Sequence, residues 1–369
     1  MVRRRSARLT LPISCLVSLV AAVLVQLGCG SPEQTLPVRP VGEITAAEVS
    51  RTDDGSYRLR WTVEPPDAPV AVFASTDPVN IPHAEPVAET AEAEAIVSGL
   101  EPYQRYYFEL VPEGGKGFVF ATRFVNLQGA QNFRDIGGYE TREGRRVRWG
   151  TVFRSDDLVD LTDADLTLVS KMSIRVVCDL RRESRREAAP DRLPTQNAPA
   201  TLNLDISGAI DGRESSSIDW SDEEAEALMA EGYARRIRTA GPLYGQMIDK
   251  LIDPANRPFL FHCQGGKDRA GTGAALLLLA LGVAEDTVVE DYLLTNQVYE
   301  KAGIDPATRA AERGISVNVM KVLMSALPSF INTALNEMRS MSGSVDGYLR
   351  EQVGLTSEEH DRLRAELLY

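Results

Sequence analysis

The stretch Phe259–Gly273, FLFHCQGGKDRAGTG, restricts the possible folds of this chain more than any other. Pro258 to Phe261 is apolar and runs straight into His262 and Cys263. Gln264-Gly265-Gly266-Lys267-Asp268-Arg269 follows, and then the apolar run Ala274 to Leu281. That pattern predicts a buried strand, a tight loop and a buried helix. Gly265 and Gly266 let the backbone bend so that successive N–H groups point into one concavity. A helix N-terminus adds its own unpaired amides, so a phosphate-sized oxyanion fits there. Cys263 opens this nest and Arg269 closes it after five intervening residues. A planar guanidinium grips two oxygens of one anion, which an ammonium cannot.

A free thiol titrates near ~8.5, and helix N-termini and nearby cations lower that by one to several units. The loop amides, Lys267 and Arg269 all act in that direction, so Cys263 is expected as a thiolate at neutral pH. A thiolate facing a phosphate cradle is a nucleophile for phosphoryl transfer through a phospho-cysteine. The competing reading, one more small apolar core residue, suits a lone Cys. It does not suit His-Cys-x5-Arg set between a strand and a helix.

His262-Cys263-x5-Arg269 is the signature of the cysteine-dependent protein tyrosine phosphatase superfamily. Gly266-Lys267-Asp268-Arg269 resembles its bacterial tyrosine/phosphoinositide branch, where HCxAGKDRTG is usual. The resemblance takes in Asn132-Phe133-Arg134-Asp135-Ile136-Gly137-Gly138, Phe153-Arg154-Ser155 and Asp179-Leu180-Arg181 upstream. Downstream it takes in Glu290-Asp291-Tyr292-Leu293-Leu294 and Gly347-Tyr348-Leu349, and so covers roughly residues 130–369. It implies an α/β fold, with a phosphatase-type sheet flanked by helices. It also implies hydrolysis of phosphotyrosine and of phosphoinositide monoesters, with no metal and no cofactor.

The resemblance makes Cys263 the nucleophile, with Arg269, Gln264, Gly265, Gly266 and Lys267 holding the phosphate. His262 is expected to bond the loop backbone and shape the Cys263 environment. Asp268 has two readings, a general acid inside the loop or an acid that pairs with Lys267 or Arg269 and stabilises it. Asp156, Asp157 and Asp179 are the other candidate acids. Arg134, Asp135 and Arg181 are motif positions open to substrate contact or to purely structural ion pairing. One departure stands out. The residue after the arginine, usually Ser or Thr and thought to help the thiolate leave, is Ala270, with Thr272 as a possible substitute.

Formal net charge is −13 and pI about 4.9, which argues against nucleic acid as a partner. Phosphate affinity must then come from a local basic pocket, with Arg145, Arg146, Arg148, Arg181, Arg182, Arg185 and Arg186 as further candidates. Arg3, Arg4, Arg5 and Arg8 precede a mostly apolar run from Leu9 to Leu27, which is signal-peptide architecture over residues 1–28. Cys29 follows Gly28 as in a bacterial lipobox, and residues 29–40 read as a linker after a lipidated cysteine. Gln26 departs from that pattern, and an uncleaved membrane anchor is the alternative. Either way the remainder is expected outside the cytoplasm and held at a membrane.

Residues 41–125 carry short, regularly spaced strand patterns: Ile44–Val49, Tyr57–Val63, Val70–Ser75, Glu94–Ser98, Tyr106–Val111 and Gly117–Thr122. This predicts a small all-β sandwich. Trp61 and Leu100-Glu101-Pro102-x3-Tyr106 resemble fibronectin type III domains, and the expected role is a spacer. His83 reads as a surface loop residue and Cys178 as core, and no disulfide framework is legible. Residues 126–369 form the expected catalytic domain. Strands are expected at Arg146–Arg154, Ile174–Leu180, Thr201–Ile206 and Phe259–Phe261. Helices are expected at Asp163–Lys171, Asp222–Asp253, 286–301, 306–313, 316–340 and 357–368. Two rivals come from other classes: a sulfurtransferase, whose loop is usually one residue shorter, and a phosphate-binding pseudo-phosphatase, suggested by Ala270.

Overall fold

The computed structural model describes residues 41–206 and 220–369. The expected signal peptide, Cys29 and the linker lie outside the described residues. The N-terminal part has seven strands: β1 (Glu43–Arg51), β2 (Tyr57–Glu64), β3 (Val70–Ser75), β4 (Ala88–Thr90), β5 (Glu94–Val97), β6 (Tyr107–Pro112) and β7 (Phe118–Ala121). They form two antiparallel sheets, ordered β1-β2-β5 and β4-β3-β6-β7. Alternation in β2 buries Tyr57, Leu59, Trp61 and Val63 on one face and leaves Arg60 and Thr62 outside. These side chains share one core with Val70, Val72, Phe108 and Leu110 of the other sheet. The short, polar β4 carries no sequence signal and is seen only through its pairing with β3.

The C-terminal part runs β8 (Arg134–Asp135), β9 (Val152–Ser155), α1 (Asp163–Lys171), β10 (Val176–Asp179), α2 (Glu183–Ala188), β11 (Ala200–Asn203), α3 (Asp222–Ile252) and β12 (Phe259–His262). It continues as α4 (Arg269–Ala280), α5 (Glu285–Lys301), α6 (Pro306–Arg313), α7 (Val317–Met324), α8 (Pro328–Ser342), α9 (Val345–Glu351) and α10 (Ser357–Leu367). The sheet order is β11-β10-β12-β9-β8, parallel except for the antiparallel edge strand β8. β12 is central, which is why every residue of Phe259–His262 is buried. Phe259 and Phe261 join one hydrophobic core with α3 and α4. Leu260 joins another with Phe153, Val177 and Val169 of α1, so both faces of the sheet are covered. Thr162 caps α1 reciprocally with Asp165.

Two expected elements are corrected. Arg146–Arg154 is not one strand: Gly150 takes a left-handed φ of 71°, Arg146 and Val147 make isolated bridges to Glu140 and Leu368, and only Val152–Ser155 joins the sheet. The expected helix over 316–340 is two helices. Pro328 sits in the first turn of α8, where its missing N–H costs nothing, and the chain breaks at Ser325–Leu327.

The β part is locked to the rest by a buried ion pair. Arg105 Nη2 donates to Asp135 Oδ2 at 2.9 Å, and the same carboxylate accepts the amides of Gly137 and Gly150, each at 2.8 Å. Tyr107 and Ala121 pack on Trp149. Gly150 is a glycine by necessity, since a Cβ there would lie 2.6 Å from Tyr107 Oη.

Candidate active site

The loop between β12 and α4 is held from outside by its carbonyls. Asp157 N–H donates to Gln264 O at 3.2 Å, Asn132 Nδ2 and Tyr299 Oη donate to Gly265 O at 3.0 and 3.1 Å, and Arg154 Nη2 donates to Gly266 O at 2.6 Å. Among the described residues, none of the backbone N–H groups of 264–268 donates to a protein acceptor. With the carbonyls tied outward, those amides are left for an anion. Gly266 makes the bend at φ 67°, and a Cβ on it would meet Asp156 N at 2.7 Å and Asn132 Nδ2 at 2.8 Å. Gly265 and Gln264 complete the rim, with Gln264 exposed.

Behind the loop lies a fully buried charge cluster. Asp291 of α5 accepts from Arg154 Nη1 at 2.7 Å, from Arg134 Nε at 3.3 Å and from Tyr139 Oη at 2.9 Å. Arg134 in turn donates to Asn132 Oδ1. The one carboxylate therefore positions both groups that grip Gly265 and Gly266. Burial alone would raise the Asp291 pKa, but Arg134 and Arg154 outweigh it and hold the carboxyl below the usual range. Burial, together with Arg134, pushes Arg154 down to about 10. Of the two roles open to Arg134 and Asp135, the structure places both in ion pairs, Arg134 with Asp291 behind the loop and Asp135 with Arg105 in the contact with the β part.

Arg181 is likewise placed off the phosphate nest. Its Nε and Nη2 donate to Asp179 (2.7–3.0 Å), Nη2 also to Asp191 at 2.9 Å, and Nη1 to Ala189 O at 3.0 Å. Asp179, Asp191 and His262 bring ligand-type atoms within 4.8 Å of one another, and the cation their carboxylates hold is this guanidinium. His262 follows the expectation that it touches the loop backbone: Nδ1 lies 3.3 Å from Cys263 O. Its Nε2 lies 2.9 Å from Asp191 Oδ2.

Cys263 is 1% exposed at the mouth of the nest. Among the described residues, the Arg269 guanidinium makes one long contact, Nη1 to Leu180 O at 3.5 Å, and Tyr244 Oη holds its carbonyl at 2.9 Å. Asp268 Oδ1 accepts from Tyr233 Oη at 2.6 Å and pairs with Lys267 Nζ at 3.3 Å, and Tyr233 Oη also lies 2.7 Å from Tyr292 Oη. Among the described residues, both contacts on Asp268 fall on Oδ1, leaving Oδ2 for a proton. Burial acts to raise the Asp268 pKa, and Lys267 and Arg236 outweigh it, so the free carboxyl sits below its ordinary value.

Lys267 was expected to meet substrate and is instead buried. Its Nζ donates to Leu323 O at 2.9 Å and Ser325 O at 3.0 Å, which ties the loop to the end of α7, and burial lowers its pKa. Thr272 Oγ1 donates to Asp268 O at 2.9 Å and accepts from Arg236 Nη1 at 3.3 Å; Ala270 is fully buried. Among the other candidate acids, Asp179 is neutralised by Arg181, and Asp156 accepts the amides of Gln131 and Asn132. Asp157 is partly exposed with a pKa raised chiefly by burial.

Sequence reasoning missed Asp191, Tyr233, Arg236 and Tyr299, none of which lies in a local motif. It passed over Asn132, Arg154 and Asp291 as site residues although all three stood inside motif stretches. Arg236 is buried, its Nε and Nη2 have no partner among the described residues, and its guanidinium lies 4.7 Å over the Tyr233 ring. The electrostatics of this group include both Asp268 and Cys263.

Residues 125–369 match the model of a tyrosine phosphatase family. The chain is 33% identical over 225 residues to a protein of Cupriavidus necator named provisionally as a tyrosine-protein phosphatase; the match covers 60% of this chain and 80% of the relative. It is 28% identical over 280 residues to the triple specificity protein phosphatase PtpB of Mycobacterium tuberculosis, covering 66% of this chain and 98% of the relative. A tyrosine-protein phosphatase of Nostoc commune is 26% identical over 157 residues, covering 42% and 52%.

Proposed function

The chain belongs to the tyrosine phosphatase family and is a phosphoric monoester hydrolase, and on that premise we propose that it hydrolyses phosphotyrosine through a phospho-cysteine on Cys263. One observation carries the reading: the carbonyls of 264–266 are all tied outward and the amides of 264–268 have no partner among the described residues. Such a nest, closed by the little-used guanidinium of Arg269, holds three phosphoryl oxygens and leaves the phosphorus in front of Cys263 Sγ. The thiolate attacks phosphorus and the P–O bond to the leaving group breaks, with its electron pair on the departing oxygen. Asp268 Oδ2 gives that oxygen a proton. Water then attacks phosphorus, the P–S bond breaks, and Asp268 takes the proton back. A carboxyl held low in the free protein gains proton affinity when a phosphate dianion arrives beside it, which is when an acid is needed. Arg236, buried with spare N–H groups, supports the developing negative charge.

Phosphoinositides form the second substrate class of this reading, supported by the GKDR loop and by a relative named for triple specificity. Lys267 does not carry that extension, since its protons are spent on α7 and Asp268. The non-catalytic reading, a phosphate-binding protein, rests on Ala270 and on the engagement of Thr272 with Asp268 O and Arg236. The N-terminal features support export with a lipid on Cys29. The two sheets, with Trp61 and Tyr106 buried in their shared core, support a fibronectin type III-like spacer. One activity panel tests the catalytic reading: an aryl phosphate, phosphotyrosine and phosphoserine peptides, and phosphoinositides. Turnover of phosphotyrosine is expected; phosphate binding without turnover of any ester supports the non-catalytic reading instead. Mass spectrometry of the mature N-terminus tests export, and absence of an acyl group on Cys29 refutes the lipid anchor.

A further inference from the structure

His262 ends β12, is fully buried and directly precedes Cys263. Both of its ring nitrogens face acceptors. Nδ1 has the Cys263 carbonyl oxygen at 3.3 Å, and Nε2 has Asp191 Oδ2 at 2.9 Å and Asp179 Oδ1 at 3.9 Å. A neutral imidazole carries one N–H and presents its other nitrogen as an acceptor. Neither neighbour can donate to it. A carbonyl has no proton, and Asp191 is kept ionised, because its other oxygen accepts from Arg181 Nη2 at 2.9 Å and from Leu158 N–H at 3.1 Å. Nε2 makes no aligned hydrogen bond, so its 2.9 Å approach to Asp191 Oδ2 is an ion-pair contact. A carboxylate that close to an imidazole nitrogen is attractive only when that nitrogen carries a proton, as does the one facing the Cys263 carbonyl.

We propose that Asp191 is a positioning residue, whose carboxylate keeps His262 an imidazolium and so fixes a positive charge one residue from Cys263. The inference rests on Cys263 being the nucleophile. The charged surroundings agree with it. Burial pushes the imidazole toward neutrality, Asp191 and Asp179 outweigh that and Arg181 opposes them, leaving the His262 pKa raised. Asp157 also faces this group and adds negative charge. Asp191 itself is held low by His262 and Arg181 against the effect of its burial. Asp191 lies in the loop after α2, far from the catalytic loop in sequence, so no motif signals the pair.

Nitrogen-15 NMR of the wild-type protein tests the charge directly, and with three histidines in the chain assignment is tractable. Both His262 nitrogens are expected to stay protonated at neutral pH; a single deprotonated nitrogen there overturns the proposal whatever the activity. In Asp191→Asn, alkylation of Cys263 at pH 6, followed on its own peptide, should slow about ten-fold, the equivalent of about one unit in an acid constant. The acid limb of kcat/KM should move up with it, and Asp191→Glu should restore both. A carboxylate that merely held the fold would lower thermal stability and leave the pH of half-maximal alkylation where it was, and that result also overturns the proposal. Because the NMR and alkylation readouts need no substrate, they stand even if no phosphate ester is turned over.

Discussion

Replacing Asp291 with Asn should remove the support of the catalytic loop without changing the size of the side chain. The carboxylate is 1% exposed and is shared by Arg134 and Arg154, both 0% exposed. Taking one partner out of a buried ion pair leaves an uncompensated charge and costs about 3–5 kcal/mol. For a domain of this size each kcal/mol moves Tm by about 2–4 °C, so a fall of about 6–20 °C is expected. Activity should fall as well, because Arg154 pins Gly266 O and Arg134 orients the Asn132 that pins Gly265 O. The pH dependence has a definite sign. The folded carboxyl is held below its unfolded value of ~3.9, so its contribution is present above that pH and is lost as pH falls toward the folded value. Urea unfolding followed by tryptophan fluorescence should therefore show a wide stability gap between wild type and Asp291→Asn at pH 7 that narrows below pH ~4. A gap under about 1 kcal/mol at pH 7, or one that does not change with pH, would refute the buttress.

Gly266→Ala should abolish oxyanion binding. It strains a backbone at φ 67° and drives a Cβ to 2.7 Å from the Asp156 amide; retained phosphate affinity by titration calorimetry would contradict this. Asp268→Asn should slow phosphotyrosine peptides by ~10²–10⁴-fold and a nitrophenyl ester far less. Equal loss on both substrates would make Asp268 a loop-stabilising residue and move the acid to Asp157. Arg105→Gln should cost about 3 kcal/mol, since it leaves the Asp135 carboxylate without its cation, and should separate the unfolding of the two halves in calorimetry. A single unshifted transition would contradict that.

The strand–loop–helix at Phe259–Gly273 was legible because burial of a central parallel strand and the bend of two glycines leave a local mark in the sequence. The β strands were legible for a similar reason, through alternation and turns. What surrounds the loop was not. Arg134, Arg181 and Lys267 look like phosphate ligands as cations near a phosphate signature. Whether a cation faces substrate depends on which carboxylate or carbonyl the fold brings to it. Asp291 reaches Arg134 across more than 150 positions, and Leu323 and Ser325 reach Lys267 across more than 50. Asp191, Tyr233 and Arg236 carry no motif, and their places are set by the packing of the loop after α2 and of the long α3. The split of 316–340 was readable, since Pro328 favours the start of a helix and not its interior.

Acid quench of the wild-type protein during turnover of a phosphotyrosine peptide should trap the phosphoryl group on Cys263. One phosphoryl group is expected on the peptide that contains Cys263, and none in Cys263→Ser, whose turnover should fall by more than about 100-fold, a barrier higher by about 3 kcal/mol or more. No phosphorylated Cys263 peptide in the wild type, or a Cys263→Ser protein that keeps more than about a hundredth of the rate, would contradict a phospho-cysteine on Cys263.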